Sequence, residues 1–553
     1  MNDQTLSYRA ASRQIDALEI TCVLLITASV AAAFTGLGVS SMWLDEFFTA
    51  YHAGPEVSDL HDLFARTGEN DHPPAYFWLV WVVWQLVPGD YTIIARGLSA
   101  VLASAVIPTL YFGLPNRITR SARLYACAIA ATSALWFNYA QEARSYALTL
   151  LLAAALFVLA MRMRDAWAEG RPARRLRSAF VLIATLGGLT HFYMVHLAAG
   201  LLAALILLAP ATQQRKAMIR AGMTFPLPVL TFVTWQLDTL PFDPNDVWMQ
   251  AQPSFFIEHI LRGIHALAGS NSALALTVAI IGSGLAMVSV SAHRSSEEAG
   301  VNDLTSDLSF LAIASAIAIA SAILVSVAAV PHFSYRFFVV LAPAFWISAG
   351  LVAATALNVL HGSRASAWTA LLLFALTLNG TKVAWRDVPT KQPWRETAQA
   401  VEGLPGCANA TLPVAWLEPR GMAAQPQASF YGYYLPNGMS RDWLSVPRTH
   451  LRNGNLPGEY RALLAKRLSG EDPCPLLLWS VHMTPAHLVP AVIAAIEGTA
   501  VLPEGAKVTV RRFQTPQPEG WRRWLEGGSL AVDGANFDDP FRAQGFLFLL
   551  ERG

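Results

Sequence analysis

Asp45 and Glu46 are adjacent carboxylates in the run Met42-Trp43-Leu44-Asp45-Glu46-Phe47-Phe48-Thr49. A carboxylate beside a substrate hydroxyl can take its proton. The same pair can also open a helix, where acidic side chains favour the first turn and Asp45 could serve as a cap. Further on, Tyr139-Ala140-Gln141-Glu142-Ala143-Arg144-Ser145-Tyr146 places a third carboxylate two residues before a guanidinium. Polar clusters follow at Asp71-His72-Pro73-Pro74, Thr190-His191-Phe192-Tyr193 and Pro331-His332-Phe333-Ser334-Tyr335-Arg336. Carboxylates that can deprotonate a hydroxyl, together with arginines that can grip phosphate oxygens, describe transfer of a glycosyl group from a lipid phosphate. Asp45 would take the acceptor's proton while Arg144 and Arg336 neutralise the departing phosphate. For Arg336 a second reading stays open, an ion pair with Glu142 that ties two helices together. Arg395, with Trp385 and Trp394 nearby, suits contact with a sugar or phosphate, or a place in an interfacial belt.

The elements that must position these groups are membrane helices. The chain has 553 residues, of which 54% are hydrophobic and only 14% charged, and its mean hydropathy is +0.39. A soluble chain carries about a quarter charged residues. The net charge of +1 gives no electrostatic reason to bind nucleic acid. Apolar residues come in runs of about 20, enough to cross about 30 Å of hydrocarbon. Basic residues in short loops mark the cytoplasmic side. Fitting helices between the clusters at Arg9 and Arg13, Arg117 to Arg123, Arg162 to Arg177, Gln213 to Arg220, Arg294 and His361 to Arg364 predicts spans over 18–39, 94–114, 122–141, 145–163, 178–193, 194–210, 219–237, 272–291, 308–330, 335–357 and 365–381. Eleven spans put the N-terminus inside and the C-terminus outside. His72 to Pro88 is apolar but short and rich in Trp, Tyr and Phe, so it is expected to lie in the outer interface. Loop 1, about 40–93, is then external, and the polar clusters gather on one side of the bilayer. Ionisable groups at that depth are costly and usually face a cavity.

Residues 1–381 are thus read as a transmembrane domain and 382–553, richer in Pro, Gly, Arg and Glu, as a soluble extracytoplasmic domain of α/β or α+β type. Four cysteines without a CxxC pair exclude zinc-finger and thioredoxin-type sites. Cys407 and Cys474 fall in the outer domain, where a disulfide and two buried thiols are both open. A transporter or flippase would also place charge in the membrane, but it predicts inverted repeats, and no second DE or QEAR motif is present.

The ordered set DE in loop 1, His72-Pro73-Pro74-Ala75-Tyr76, Arg96-Gly97-Leu98-Ser99, Tyr139 to Leu148 (YAQEARSYAL), Thr190-His191-Phe192-Tyr193 and a late Tyr335-Arg336-Phe337 resembles the family 39-type membrane glycosyltransferases of the GT-C superfamily. These include lipid A aminoarabinose transferases, protein O-mannosyltransferases and rhizobial galacturonic acid transferases. The resemblance covers most of residues 10–360. It implies a GT-C fold and inverting transfer from a polyprenyl-phosphate-sugar donor to lipid A, lipopolysaccharide or another envelope glycan. The reaction would take place at the periplasmic face of the inner membrane. A protein acceptor and glycan ligation are the alternatives. It also implies Asp45 as general base with Glu46 beside it, Glu142 as the second acidic residue, and Arg144, Tyr146, Tyr193, Tyr335 and Arg336 toward substrate. Lipid A transferases carry Glu-Lys-Pro, whose Glu binds metal, where this chain has Asp71-His72-Pro73. Asp71, His72 and His191 could then supply oxygen and nitrogen ligands to Mg, Mn or Zn.

Overall fold

The structure is a computed structural model that describes residues 2–38, 40–68, 70, 72–239, 251–268, 299–359, 367–371, 392–414, 430–436, 441–443, 458–481, 489–498, 504–514 and 544–551. Contacts divide the chain into two units. One takes in Met1–Leu37 and His52–Arg386 with Gly528–Leu530; the other takes in Gly38–Tyr51, Asp387–Gly527 and Ala531–Gly553. The segment that bears Asp45 and Glu46 therefore groups with the C-terminal part of the chain.

Among the described residues the helices run in chain order as α1 (Asn2–Ala33), α2 (Leu44–Ala53), α3 (Leu60–Gly68), α4 (Ala75–Leu86), α5 (Tyr91–Gly113), α6 (Arg120–Ala131), α7 (Ala134–Ala140) and α8 (Tyr146–Ala168). Next come α9 (Arg174–Gly188), α10 (Tyr193–Leu208), α11 (Thr212–Thr224), α12 (Pro226–Thr239), α13 (Pro253–Ala268), α14 (Ala299–Ala328) and α15 (Ala342–Val359). Within them Tyr91–Gly113, Tyr146–Ala168, Thr212–Trp235 and Asp303–Ala328 are long and apolar enough to cross a membrane, and Ala17–Ala33, Ala75–Leu86, Tyr193–Leu208 and Ala342–Leu357 are shorter apolar helices. The expected span 272–291 lies outside the described residues, as does 365–381 apart from 367–371.

Local chemistry explains where helices start and break. Asp90 caps α5, its side chain accepting the Ile93 N–H at 3.0 Å. The expected continuous span 122–141 is instead α6 and α7, parted at Thr132-Ser133. There the Thr132 hydroxyl donates back to the Ala128 carbonyl at 2.8 Å, and Ser133 takes an extended φ/ψ. The expected span 219–237 is divided where Pro226 starts α12, a position that suits a residue without an N–H. The expected span 335–357 begins late: Tyr335–Val339 is a 3-10 turn, and α15 starts at Ala342.

Small residues let the helices of this unit approach closely. A Cβ on Gly350 of α15 would meet the Ala122 carbonyl of α6 at 2.6 Å, and Gly200 of α10 lies equally tight against Ala314 and Ala318 of α14. Near the end of α8 opposite Tyr146, Arg117 bridges Asp165 and Asp307, and Arg164 joins Asp307 at 2.8 Å. Asp307 is buried, and its hydrogen bonds, helped by those of Asp165, hold the Arg117 guanidinium above its ordinary pKa. Tyr146 and Asp165 are about 30 Å apart along the helix.

The second unit is built on a five-stranded mixed sheet. β1 (Leu412–Val414), β2 (Arg441–Trp443), β3 (Leu476–Val481), β4 (Lys507–Gln514) and β5 (Gln544–Glu551) lie in the order β2-β1-β3-β5-β4. β1 pairs with β2 and β3 in parallel, and β5 pairs with β3 and β4 antiparallel. α16 (Trp394–Glu402), α17 (Gly458–Ser469) and α18 (Val489–Glu497) accompany the sheet. Tyr460, Leu464, Val492 and Ile496 pack with Phe546 and Phe548, whose side chains share one face by the two-residue period of a strand. Leu547 and Leu549 are buried as well, so β5 is covered on both faces. Cys407 and Cys474 are joined by a disulfide. Gly406 precedes it at φ +76°, and a Cβ there would meet Pro473 at 2.9 Å.

Candidate functional site

In the helical unit, the turn between α7 and α8, the start of α10 and the 3-10 turn bring their polar residues together. Gln141 is spent on structure: its amide donates to the Thr35 carbonyl at 2.7 Å and to those of Ala32 and Ala33, satisfying the C-terminal end of α1. Glu142 and Arg144 follow it, with the Arg144 N–H donating to the Glu142 carbonyl at 2.8 Å. Arg144 is buried, and its Nη2 sits 3.2 Å from Nε2 of His72. The His72 ring meets His191 edge-on at 5.4 Å, and His191 lies 5.5 Å from Tyr146 and 4.3 Å from Tyr193. Tyr139 packs on Tyr146 at 4.6 Å.

Arg336 reaches this group from the 3-10 turn. Its Nη1 donates to the Tyr146 hydroxyl at 3.2 Å, its Nε lies 3.5 Å from the Tyr335 hydroxyl, and the guanidinium stands 6.0 Å from the Tyr146 ring centre. The segment carrying Arg336 is fastened from three sides. The Tyr193 hydroxyl bonds Ser334 at 2.8 Å and donates to the His332 carbonyl at 3.2 Å. His196 and His332 meet Nε2 to Nε2 at 2.8 Å. Nδ1 of His332 lies 2.9 Å from the Val330 carbonyl and must donate to it, so its Nε2 accepts from His196. Burial moves the His332 pKa downward. On the third side, Nδ1 of His259 accepts the Tyr335 N–H at 3.0 Å while its ring stacks on Phe255 and Tyr335. Burial, aided by Arg262, lowers the His259 pKa to about 4. His196 and His259 went unnoticed in the sequence. Neither belongs to a polar cluster of the sequence, and only the fold supplies its partner.

Two further motifs turn out to be joints. Arg96, almost wholly buried, donates to the Leu37 carbonyl at 2.6 Å, and Ser99 bonds the Tyr76 hydroxyl at 3.1 Å. The Ala75 N–H donates to the Leu189 carbonyl at 2.9 Å, which fixes α4 against the end of α9. Beside it lies an apolar cavity of about 640 Å³, walled by Pro74, Trp78, Leu148, Leu189, Phe232 and Trp235 among others.

In the second unit, Asp45 and Glu46 open α2. Glu46 is fully buried and accepts the Trp43 N–H at 3.2 Å, the return arm of a capping box. Asp45 is half-buried one residue earlier. This turn is held by residues some 350 positions away. The Leu44 N–H donates to Oε1 of Gln392 at 2.9 Å, the Ser41 hydroxyl donates to the Gln392 carbonyl, and the Met42 N–H donates to the Tyr434 hydroxyl at 2.7 Å. Phe47 packs on Trp394 at 5.1 Å and Phe430 at 5.3 Å. Arg395 donates to the Gly38 carbonyl at 3.0 Å and stands over the Tyr434 ring. Nothing in the sequence around Gln392 or Tyr434 signals this role.

Asp71, one of the three expected metal ligands, lies outside the described residues. The other two, His72 and His191, lie ring to ring at 5.4 Å, edge-on. His72 has Arg144 against its Nε2, and among the described residues no three His, Cys, Asp or Glu side chains converge.

No protein-family model matches the chain, and no curated protein matches it by sequence. Solved structures do. ArnT from Cupriavidus metallidurans in the apo state aligns at a TM-score of 0.51 with 12% identity, over 85% of this chain and 94% of that one. The same protein bound to undecaprenyl phosphate aligns at 0.51 with 12% identity, over 95% and 97%. An oligosaccharyltransferase from Archaeoglobus fulgidus, in complex with zinc and sulfate, aligns at 0.45 with 11% identity, over 83% and 68%. The chain shares the fold of these ArnT structures, and its long apolar helices fit a helical membrane protein.

Proposed function

We propose that this chain is an inverting glycosyltransferase, taking its sugar from a polyprenyl-phosphate donor and passing it to lipid A, lipopolysaccharide or another envelope glycan at the periplasmic face of the inner membrane. The observation that carries this reading is the convergence of Arg144 and Arg336 on Tyr146, His72 and His191 at one end of a GT-C helical unit. Two guanidiniums in a low-dielectric surround suit a leaving phosphate far better than a neutral ligand. The apolar cavity that begins at Pro74, two residues past His72, offers room for a prenyl chain. In ArnT the same fold binds undecaprenyl phosphate. The Cys407–Cys474 disulfide supports an oxidising compartment for the second unit, and the basic ends of α8, α9 and α11 support the opposite side as cytoplasmic.

The chemistry follows from the donor. A sugar phosphodiester already has a good leaving group once its charge is balanced, so no strong general acid is needed. Arg336 and Arg144 hold the phosphate oxygens while the anomeric C–O bond breaks, and the lipid phosphate departs as the anion. The acceptor hydroxyl attacks from the opposite face, Asp45 takes its proton, and a single displacement inverts the anomeric centre.

The test has two arms. Purified chain should retain undecaprenyl phosphate in detergent, and Arg144→Gln or Arg336→Gln should each weaken that binding at least tenfold; unchanged binding in both would remove the phosphate role. Mass spectrometry of lipid A, core glycan and envelope proteins, with and without the gene, should show one sugar missing from the lipid or glycan fraction. A sugar missing from proteins alone would shift the reading to protein O-glycosylation, and no difference anywhere would overturn it.

A further inference from the structure

We propose that the groove between α9 and α11 is a binding site for an anionic glycerophospholipid, in the leaflet away from Tyr146. A cavity of about 330 Å³ opens there, lined by Arg177, Ser178, Val181, Ala217, Arg220 and Thr224. That is within the size range of small-ligand pockets. The two helices carry Arg174, Arg175, Arg177, Arg215, Lys216 and Arg220 and no Asp or Glu. Arg215 is occupied by the Ala209 carbonyl at 3.1 Å, and the Thr224 hydroxyl by the Ala221 carbonyl at 2.9 Å. Arg177 and Arg220 take part in no ion pair among the described residues, and they line the cavity together. Two guanidinium forks with a neighbouring serine hydroxyl fit a phosphodiester, whose oxygens accept in pairs.

The surroundings select a lipid over free phosphate. Immediately along both helices from the two arginines, Leu182, Ile219 and Met223 are 47 to 67% exposed, an apolar flank suited to acyl chains. The Thr185 hydroxyl donates to the Phe225 carbonyl at 3.2 Å and closes the groove at its apolar end. The depth is right as well. Arg177 is in the first turn of α9, whose other end, Gly188, lies three residues before His191. A basic pocket between two amphipathic helices at the headgroup level, with nothing acidic on either, recognises the negative charge that phosphatidylglycerol or cardiolipin has and phosphatidylcholine lacks.

The full chain, delipidated in neutral detergent, is titrated with dioleoyl phosphatidylglycerol or dioleoyl phosphatidylcholine and read by native mass spectrometry. Retention of phosphatidylglycerol with little phosphatidylcholine is expected. Arg177→Gln with Arg220→Gln should weaken phosphatidylglycerol binding by about thirtyfold, at about 1 kcal/mol per charge near a membrane surface. Arg174→Gln with Arg175→Gln removes the same charge outside the groove and should weaken it far less. Equal loss in the two double variants would overturn the site in favour of diffuse attraction, and displacement of the lipid by millimolar inorganic phosphate would make it a free-phosphate site. Thermal unfolding of each variant, expected to match wild type, separates lost binding from lost folding; if the groove pair alone unfolds early, Arg177→Lys with Arg220→Lys, keeping the charge, should restore retention, and failure to do so in a folded protein would sink the proposal.

Discussion

At the scale of single residues, the acidic pair divides its duties. Glu46 is buried and caps the helix that Asp45 only begins, so the two should respond differently to substitution. Asp45→Asn keeps the shape and cannot accept a proton. It should lower turnover by about 10²- to 10⁴-fold with the unfolding temperature unchanged, and turnover within threefold of wild type would leave Asp45 a helix-start residue only. Glu46→Ala should cost about 1 kcal/mol of stability, the usual loss of a cap, measured by thermal unfolding in detergent. His259 gives a pH signature. Its folded pKa of about 4 lies below the unfolded value of about 6.5, so between those two pH values the unfolded chain binds a proton that the native chain refuses. Stability should therefore fall as pH drops from about 6.5 toward 4. His259→Asn keeps an acceptor near Nδ1 for the Tyr335 N–H and should flatten that slope, which unfolding at several pH values would show.

Among elements, the pairs α6 with α15 and α10 with α14 depend on the absence of side chains. Gly350→Leu would drive a branched chain into the Ala122 and Ala126 backbone, both within 2.7 Å of a Cβ. A loss of about 1–3 kcal/mol is expected from overpacking, seen as earlier thermal unfolding; an unchanged transition would mean the helices can separate freely. The joints at Arg96 with Leu37 and Gln141 with Thr35 work by another principle, giving partners to carbonyls of the turn that follows α1. Both residues belong to motifs whose resemblance pointed to function.

For the whole molecule, the proposed orientation is open to a direct check. With native Cys22 and Cys127 buried and Cys407 bonded to Cys474, single cysteines report cleanly. Ser58→Cys and Ser469→Cys should react with an impermeant maleimide in intact spheroplasts, and Gly170→Cys only after lysis. Labelling at Gly170 from outside would reverse the sidedness on which both the periplasmic reaction and the cytoplasmic lipid groove rest.

Membrane character was legible in the sequence because hydrocarbon thickness imposes a length of apolar chain, which is a local property; α5 and α8 fall within a few residues of the expected 94–114 and 145–163. The polar clusters were legible for the same reason, since ionisable residues beside apolar runs stand out without any knowledge of their partners. The breaks at Thr132-Ser133 and before Ala342 were not, because a helix end costs little in composition and is decided by one hydroxyl or by a backbone N–H claimed from elsewhere, as His259 claims that of Tyr335. Least legible of all was the setting of Asp45. Ser41, Met42 and Leu44 are held by Gln392 and Tyr434, and hydrogen bonds spanning some 350 residues leave no period or spacing behind. The sequence by itself determined which chemistry was on offer and on what kind of scaffold; only the tertiary structure decided that Arg336 meets Tyr146 and that the acidic turn belongs with the C-terminal unit, because partners distant in the chain are chosen by packing and not by neighbours.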